Sequence, residues 1–108
     1  MKHTVGEVIR MVGHLLSDPK RRTYGEAARD GRDFMVDCDS HTACKWCVYG
    51  AAYICGRLLD ANSDELEAAL DSYLHNSYGP RWFLDWETPH RYTAREKIAE
   101  LLKNYPEP

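Results

Sequence analysis

All four cysteines lie between positions 38 and 55, and three of them join a histidine in Cys38-Asp39-Ser40-His41-Thr42-Ala43-Cys44-Lys45-Trp46-Cys47. Side chains able to ligate a metal recur there at every third position, and zinc accepts a tetrahedral set of three thiolates and one imidazole. In that arrangement Cys38 and His41 fold back onto Cys44 and Cys47 at the start of a helix, with Asp37 and Asp39 hydrogen-bonded behind them. The compression of the segment argues the other way, because structural zinc sites join two elements across a long stretch of chain. A second chemistry is thiol redox. A Cys44-x-x-Cys47 pair at a helix N-terminus would have its thiolate favoured by the helix dipole and by Lys45, although such pairs normally sit beside a strand–helix unit. The third reading involves no chemistry. Cys47 and Cys55, with Ala51 between them, share one helical face, and an unpaired thiol packs as a small hydrophobe. We take core packing as the expectation for the cluster and keep zinc and redox as alternatives.

The other concentration is aromatic. Tyr73, Tyr78, Trp82, Phe83, Trp86 and Tyr92 follow one another closely, most densely in Arg81-Trp82-Phe83-Leu84-Asp85-Trp86. Trp, Tyr and Arg dominate binding hot spots, so Arg81, Trp82, Asp85, Trp86 and Glu87 are the candidate partner-binding residues. The competing role is a pair of indoles plugging the end of a small bundle, and exposure of Trp82 and Trp86 discriminates between the two. Arg81, His90 and Arg91 have the chemistry to meet phosphates, or to pair with Asp85 and Glu87. The one basic run, Lys20-Arg21-Arg22, reads as solvated loop. No nucleophile elbow, phosphate-binding glycine loop or His-Glu-x-x-His occurs, and the histidines at 3, 14, 41, 75 and 90 are scattered. The expectation is a protein that is not an enzyme.

Positioning these groups falls to helices. Thr4 and Glu7 form a capping box, and Val5, Val8, Ile9, Val12, Leu15 and Leu16 recur at helical spacing. A first helix is thus predicted over residues 5–17, stopped by Ser17-Asp18-Pro19. Asp30-Gly31 between Ala27-Ala28-Arg29 and Asp33-Phe34-Met35-Val36 reads as a small β-hairpin. A second, nearly all-apolar helix is expected to start between His41 and Ala43 and run to Leu59. Its Gly50-Ala51-Ala52 permits close approach by another helix. Asn62 and Glu65 cap a third helix whose apolar face is Leu66, Ala69, Leu70, Tyr73 and Leu74. After an aromatic turn, Thr93 and Glu96 cap the last, with a stripe of Ala94, Ile98, Leu101 and Leu102. The prediction is a mainly α fold, a compact bundle of about four helices with a hairpin between the first two, forming one domain over residues 1–108.

Composition bounds the rest. The chain of 108 residues is 44% hydrophobic and 29% charged, which suits one folded domain. No apolar run reaches the ~20 residues of a membrane span, and Met1 to Glu7 lacks a secretory h-region, so a cytoplasmic location is expected. The net charge of −3 divides into +2 over residues 1–57 and −5 over 58–108. That acidic second half suits a protein partner with a basic surface better than nucleic acid.

Tyr24-Gly25-Glu26-Ala27-Ala28-Arg29-Asp30, an aspartate-rich turn and Ala43-x-x-Trp46-Cys47-x-x-Gly50-Ala51 together resemble a family of small uncharacterised domains from actinobacterial and bacteriophage genomes. The likeness continues through Trp86-Glu87-Thr88-Pro89 and Thr93-Ala94-Arg95-Glu96, where that family has a tryptophan and a polar turn before Thr-x-x-Glu and a final helix. The family's Trp-Asn-Asp is Trp86-Glu87-Thr88 here. Cys38 and His41 lie outside the family's pattern and Cys47 inside it, which implies a core role for that thiol. The family has no established activity, so the resemblance implies a viral or mobile-DNA context rather than a chemistry. The functional expectation is a non-enzymatic protein-binding module without cofactor, a phage-encoded inhibitor of a host complex such as a defence target, anti-CRISPR-like in profile and acting in the host cytoplasm. The alternatives are a zinc-stabilised interaction module on Cys38, His41, Cys44 and Cys47, and a thiol-redox protein.

Overall fold

The computed structural model describes residues 3–88 and 92–106. The chain is mainly helical, with a small antiparallel ladder ahead of the second helix. Helix α1 (Val5–Leu16) starts as its sequence dictates: the Thr4 hydroxyl accepts from the Glu7 backbone N–H at 3.1 Å. Val8, Ile9, Val12 and Leu16 are buried along its stripe. A single 3-10 turn (Pro19–Arg21) follows, capped by the Asp18 carboxylate on the Lys20 N–H.

The expected hairpin is present as a bridge, the Asp30 and Val36 N–H groups donating to the Phe34 and Ala28 carbonyls at 2.9 and 3.1 Å, but the ladder itself lies elsewhere. Strand β1 (Ala28–Arg29) pairs with β2 (Lys45–Trp46), Ala28 opposite Trp46 and Arg29 opposite Lys45, while Met35 makes only an isolated bridge to Arg29. The turn between is an Asp30 device rather than an Asp-Gly one. The Asp30 carboxylate accepts from the N–H groups of Arg32 and Phe34, and the left-handed position is Asp33 at φ 69°, not Gly31. Aspartate tolerates that region better than most residues because its short side chain bonds locally to the backbone.

That ladder also moves the start of the second helix, which is the largest correction. Helix α2 (Val48–Leu58) begins after Cys47 and not between His41 and Ala43. The backbone N–H groups of Cys44 and Cys47 donate to Arg29 and Ala27 carbonyls at 3.0 and 3.2 Å. Residues 44–47 therefore complete the sheet instead of a helical turn. Gly50 does permit a close approach, but from the chain entering β1 rather than from a helix. A Cβ there would lie 2.0 Å from the Ala27 carbonyl oxygen.

Helix α3 (Ser63–Tyr78) is capped by Asn62 on the Glu65 N–H at 3.0 Å and ends at Gly79, whose φ of 122° turns the chain away. The aromatic segment is not a turn but a short helix, α4 (Trp82–Glu87). Helix α5 (Tyr92–Lys103) already includes Thr93 in its first turn, so Thr93 is not its cap. The core brings together α1, α2, α3 and α5, with Trp82 and Trp86 of α4 closing it. Helix α1 packs most extensively on α5, at a crossing where Gly13 meets the Lys103 backbone.

Candidate interaction surface

Of the five candidate binding residues, Trp82, Trp86 and Glu87 serve the interior or its edges. Trp82 is 3% exposed and Trp86 fully buried, so neither indole can meet a partner, a correction to the expectation. An amphipathic six-residue helix places positions i and i+4 on one face, and both of its tryptophans share that face. The Trp86 N–H donates to the Thr23 carbonyl at 3.0 Å, and the Trp86 carbonyl accepts from Arg95 Nε at 2.7 Å. Arg95 is itself only 4% exposed; it donates a second bond to the Thr88 carbonyl at 3.0 Å and lies 4.3 Å from the Tyr24 ring centroid. Glu87 is half-buried and accepts from the Gly25 backbone N–H, which ties the loop before β1 to the end of α4. Asp85 is half-buried, in the first turn of α4. Arg81 is exposed at the start of α4. His90 and Arg91 lie outside the described residues.

The cysteine cluster is likewise resolved into separate roles. Cys47 is buried, and its sulfur accepts from the Gly50 N–H at 3.3 Å as the cap of α2. Burial pushes its thiol pKa up, opposite to the lowering a redox-active thiol would need, and the bonds it accepts from the Gly50 and Tyr49 N–H groups do not offset that. Cys55 lies in the core, its pKa raised to about 11 by burial. Cys38 is half-buried with its carbonyl accepting from the Trp46 indole at 3.1 Å; burial raises its pKa as well. His41 is exposed and Cys44 half-buried. Among the described residues no group of three or more His, Cys, Asp and Glu side chains is arranged to hold a metal ion.

A different constellation faces solvent. Helix α3 carries Asp64, Glu65, Glu67 and Asp71 and no Lys or Arg. Asp64, Glu67 and Asp71, spaced three and four apart, fall on one side of it and line an open groove with Ala68 and Tyr49. Tyr49, from α2, links this acidic row to α4. Its hydroxyl donates to Asp71 Oδ1 at 3.1 Å, and its ring centroid lies 5.7 Å from that of Trp82 and 5.6 Å from that of Phe83. Burial, then the bond to Asp71, then the Asp71 and Glu67 charges push the Tyr49 pKa up to about 12, so the phenol keeps its proton and the negative row stays intact. Beyond it Phe83 is 40% and Leu84 58% exposed, on the side of α4 that the tryptophans leave to water.

The acids of α3 read in the sequence only as complements to the helix dipole. Their second signal is the spacing 64, 67, 71 on the side that flanks the Leu66, Leu70 and Leu74 stripe. Tyr49 offers none, because its link to Phe83 depends on how α2 and α4 meet. The chain matches no known protein family, no curated protein and no solved structure.

Proposed function

We propose that the chain is a non-enzymatic protein-binding module that receives a Lys/Arg-rich segment of a partner protein across α3, Tyr49 and the outer side of α4. The observation that supports this reading is the continuity of the acidic groove (Asp64, Glu67, Asp71) through the Tyr49 ring to exposed Phe83. A row of carboxylates steers a cationic partner and fixes its orientation, while an aromatic edge beside it supplies the desolvated contact from which affinity comes. The chemistry of the surface suits a partner that is basic with apolar residues interspersed. The viral context implied by the sequence resemblance extends the proposal: the chain is phage-encoded and occupies the basic surface of a host complex, as an inhibitor of a defence system would.

The test is fluorescence anisotropy with labelled ~15-residue peptides that alternate Lys/Arg with Leu or Trp, at low and at moderate ionic strength. The expected result is saturable binding that weakens as salt rises, falls at least ~10-fold in E67K/D71K, and falls again in F83A. Binding untouched by both variants, or equal binding of acidic control peptides, overturns the proposal.

A further inference from the structure

Away from α3, the 3-10 turn, the β1–β2 ladder and α5 together surround a cavity of about 300 Å³. Its walls carry four cations, Arg22, Arg29, Lys45 and Arg95, against one carboxylate, Asp33. This is an unusual gathering in a chain whose net charge is −3. The three guanidinium groups, all buried or half-buried, are fixed by backbone carbonyls, Arg29 through Nη1 on the Asp33 carbonyl at 2.9 Å. Arg22 donates through Nε and Nη2 to the Leu16 and Ser17 carbonyls at the end of α1, at 2.6 and 3.1 Å. Arg95 is held by the carbonyls of Trp86 and Thr88. Burial is the main influence lowering the Arg22 pKa; Glu96 and Asp18, which do not line the cavity, raise it, and Arg95 lowers it. Like charges are thus held near one another, with backbone carbonyls fixing their position.

Asp33 is the one carboxylate among the lining residues, and its side chain is loosely held. Its carboxylate lies 3.4 Å from Lys45 Nζ and 4.0 Å from Arg29 Nη1, and its side chain is 65% exposed. It occupies a left-handed turn position, so the Asp30 turn brings it to the cations. A weak, hydrated carboxylate between Arg29 and Lys45 is what an incoming anion with more charge and more acceptor oxygens can displace. Tyr24 supplies a second kind of wall: an aromatic ring with Arg95 on one face and substantial exposure of the remainder. The volume exceeds what a bare anion fills and lies at the lower end of small-molecule sites.

We propose that this cavity binds a small phosphomonoester, its phosphate taken by Arg29, Lys45 and Arg22 in place of the Asp33 carboxylate and its organic part resting against Tyr24. A dianionic phosphate matches the excess of positive charge in the walls. A long polyanion is disfavoured, because it would have to run past an acidic surface on a chain of net negative charge. This site is separate from the α3 groove, and neither proposal depends on the other.

The experiment is isothermal titration at low ionic strength with inorganic phosphate, adenosine monophosphate, adenosine and a 15-nucleotide single strand. Adenosine monophosphate is expected to bind at one site, more tightly than phosphate, with no binding of adenosine. Asp33→Asn is expected to tighten that binding ~3-fold or more, since asparagine keeps the left-handed turn and removes the competing charge. The double variant R29Q/K45Q is expected to weaken it at least ~10-fold. One-site binding of adenosine monophosphate by the unaltered chain separates a ligand site from a structural ion-pair cluster, because freeing Arg29 and Lys45 in Asp33→Asn raises affinity for any anion. It also decides the matter should R29Q/K45Q fail to fold. No saturable binding of either phosphate compound, an affinity unmoved by Asp33→Asn, or tighter binding of the oligonucleotide than of the monophosphate overturns the proposal.

Discussion

Arg95 shows how one residue changes meaning between sequence and structure. In the sequence it is the third residue of Thr93-Ala94-Arg95-Glu96, a charged position in the first turn of a surface helix. In the structure it is among the most buried charges in the molecule, bonded to the carbonyls of Trp86 and Thr88 and stacked on Tyr24. Those carbonyls close the C-terminal end of α4, where helix carbonyls lack intrahelical partners, and Arg95 supplies the donors. Replacing it with methionine keeps much of the volume and removes every donor. The expected loss is about 2–4 kcal/mol of stability, measured by urea unfolding followed by circular dichroism. The thiols were more legible. Cys47 and Cys55 are core residues as their spacing implies, because burial of a small apolar side chain on a helix follows from periodicity alone. The indoles were not: Trp82 and Trp86 carry the same composition whether they plug a core or greet a partner, and only the packing of α4 distinguishes the two.

At the scale of elements, caps and stops fell where local chemistry put them, at Thr4, Asn62 and the Asp18-Pro19 step. The start of α2 did not, because residues 44–47 have two competing uses for their N–H groups. The choice went to a strand distant in sequence, the Ala27–Arg29 segment. Glycine marks where elements touch. A Cβ on Gly13 would sit 2.1 Å from the Lys103 backbone nitrogen, and backbone cannot yield as a side-chain tip can. Gly13→Ala should therefore separate α1 from α5 and cost about 2–3 kcal/mol or more. Gly31→Ala meets nothing within 4 Å at an ordinary φ and should be neutral or stabilise by up to ~1 kcal/mol. Thermal melts of the two variants, side by side, check the pair. The sequence contains both glycines in plain view and offers no means of ranking them, since the difference lies in what approaches each one.

For the molecule as a whole, a radius of gyration of 12.9 Å matches the ~13 Å expected of one packed domain of about 100 residues. No helix among the described residues is long and apolar enough to cross a membrane. Stability of the whole should carry the signature of its buried acids at high pH. The Cys55 thiol titrates at about 11 in the fold against an ordinary 9.0, and Tyr49 at about 12 against 10.0. Both folded values are raised, so these groups contribute full stability below pH 9 and lose it as pH climbs through the folded values, where the unfolded chain has already released its protons. Urea midpoints should fall steeply between pH 9 and 12. For Cys55 the loss amounts to about 2 kcal/mol by pH 11. Cys55→Ala lowers stability throughout and should flatten the descent between pH 9 and 11, whereas a slope unchanged by the substitution would assign the effect elsewhere.

The sequence by itself determined the helical class, the apolar stripes, most helix ends and the interior fate of Cys47 and Cys55. Each of these follows from interactions between residues a few positions apart. The tertiary structure alone decided that β1 pairs with Lys45–Trp46, that the tryptophans face inward, and that Tyr49 joins the acids of α3 to Phe83. It alone brought Arg22, Arg29, Lys45 and Arg95 around one cavity. These contacts link parts of the chain that are far apart in sequence, and their energies depend on shape and on competing partners that no local pattern encodes.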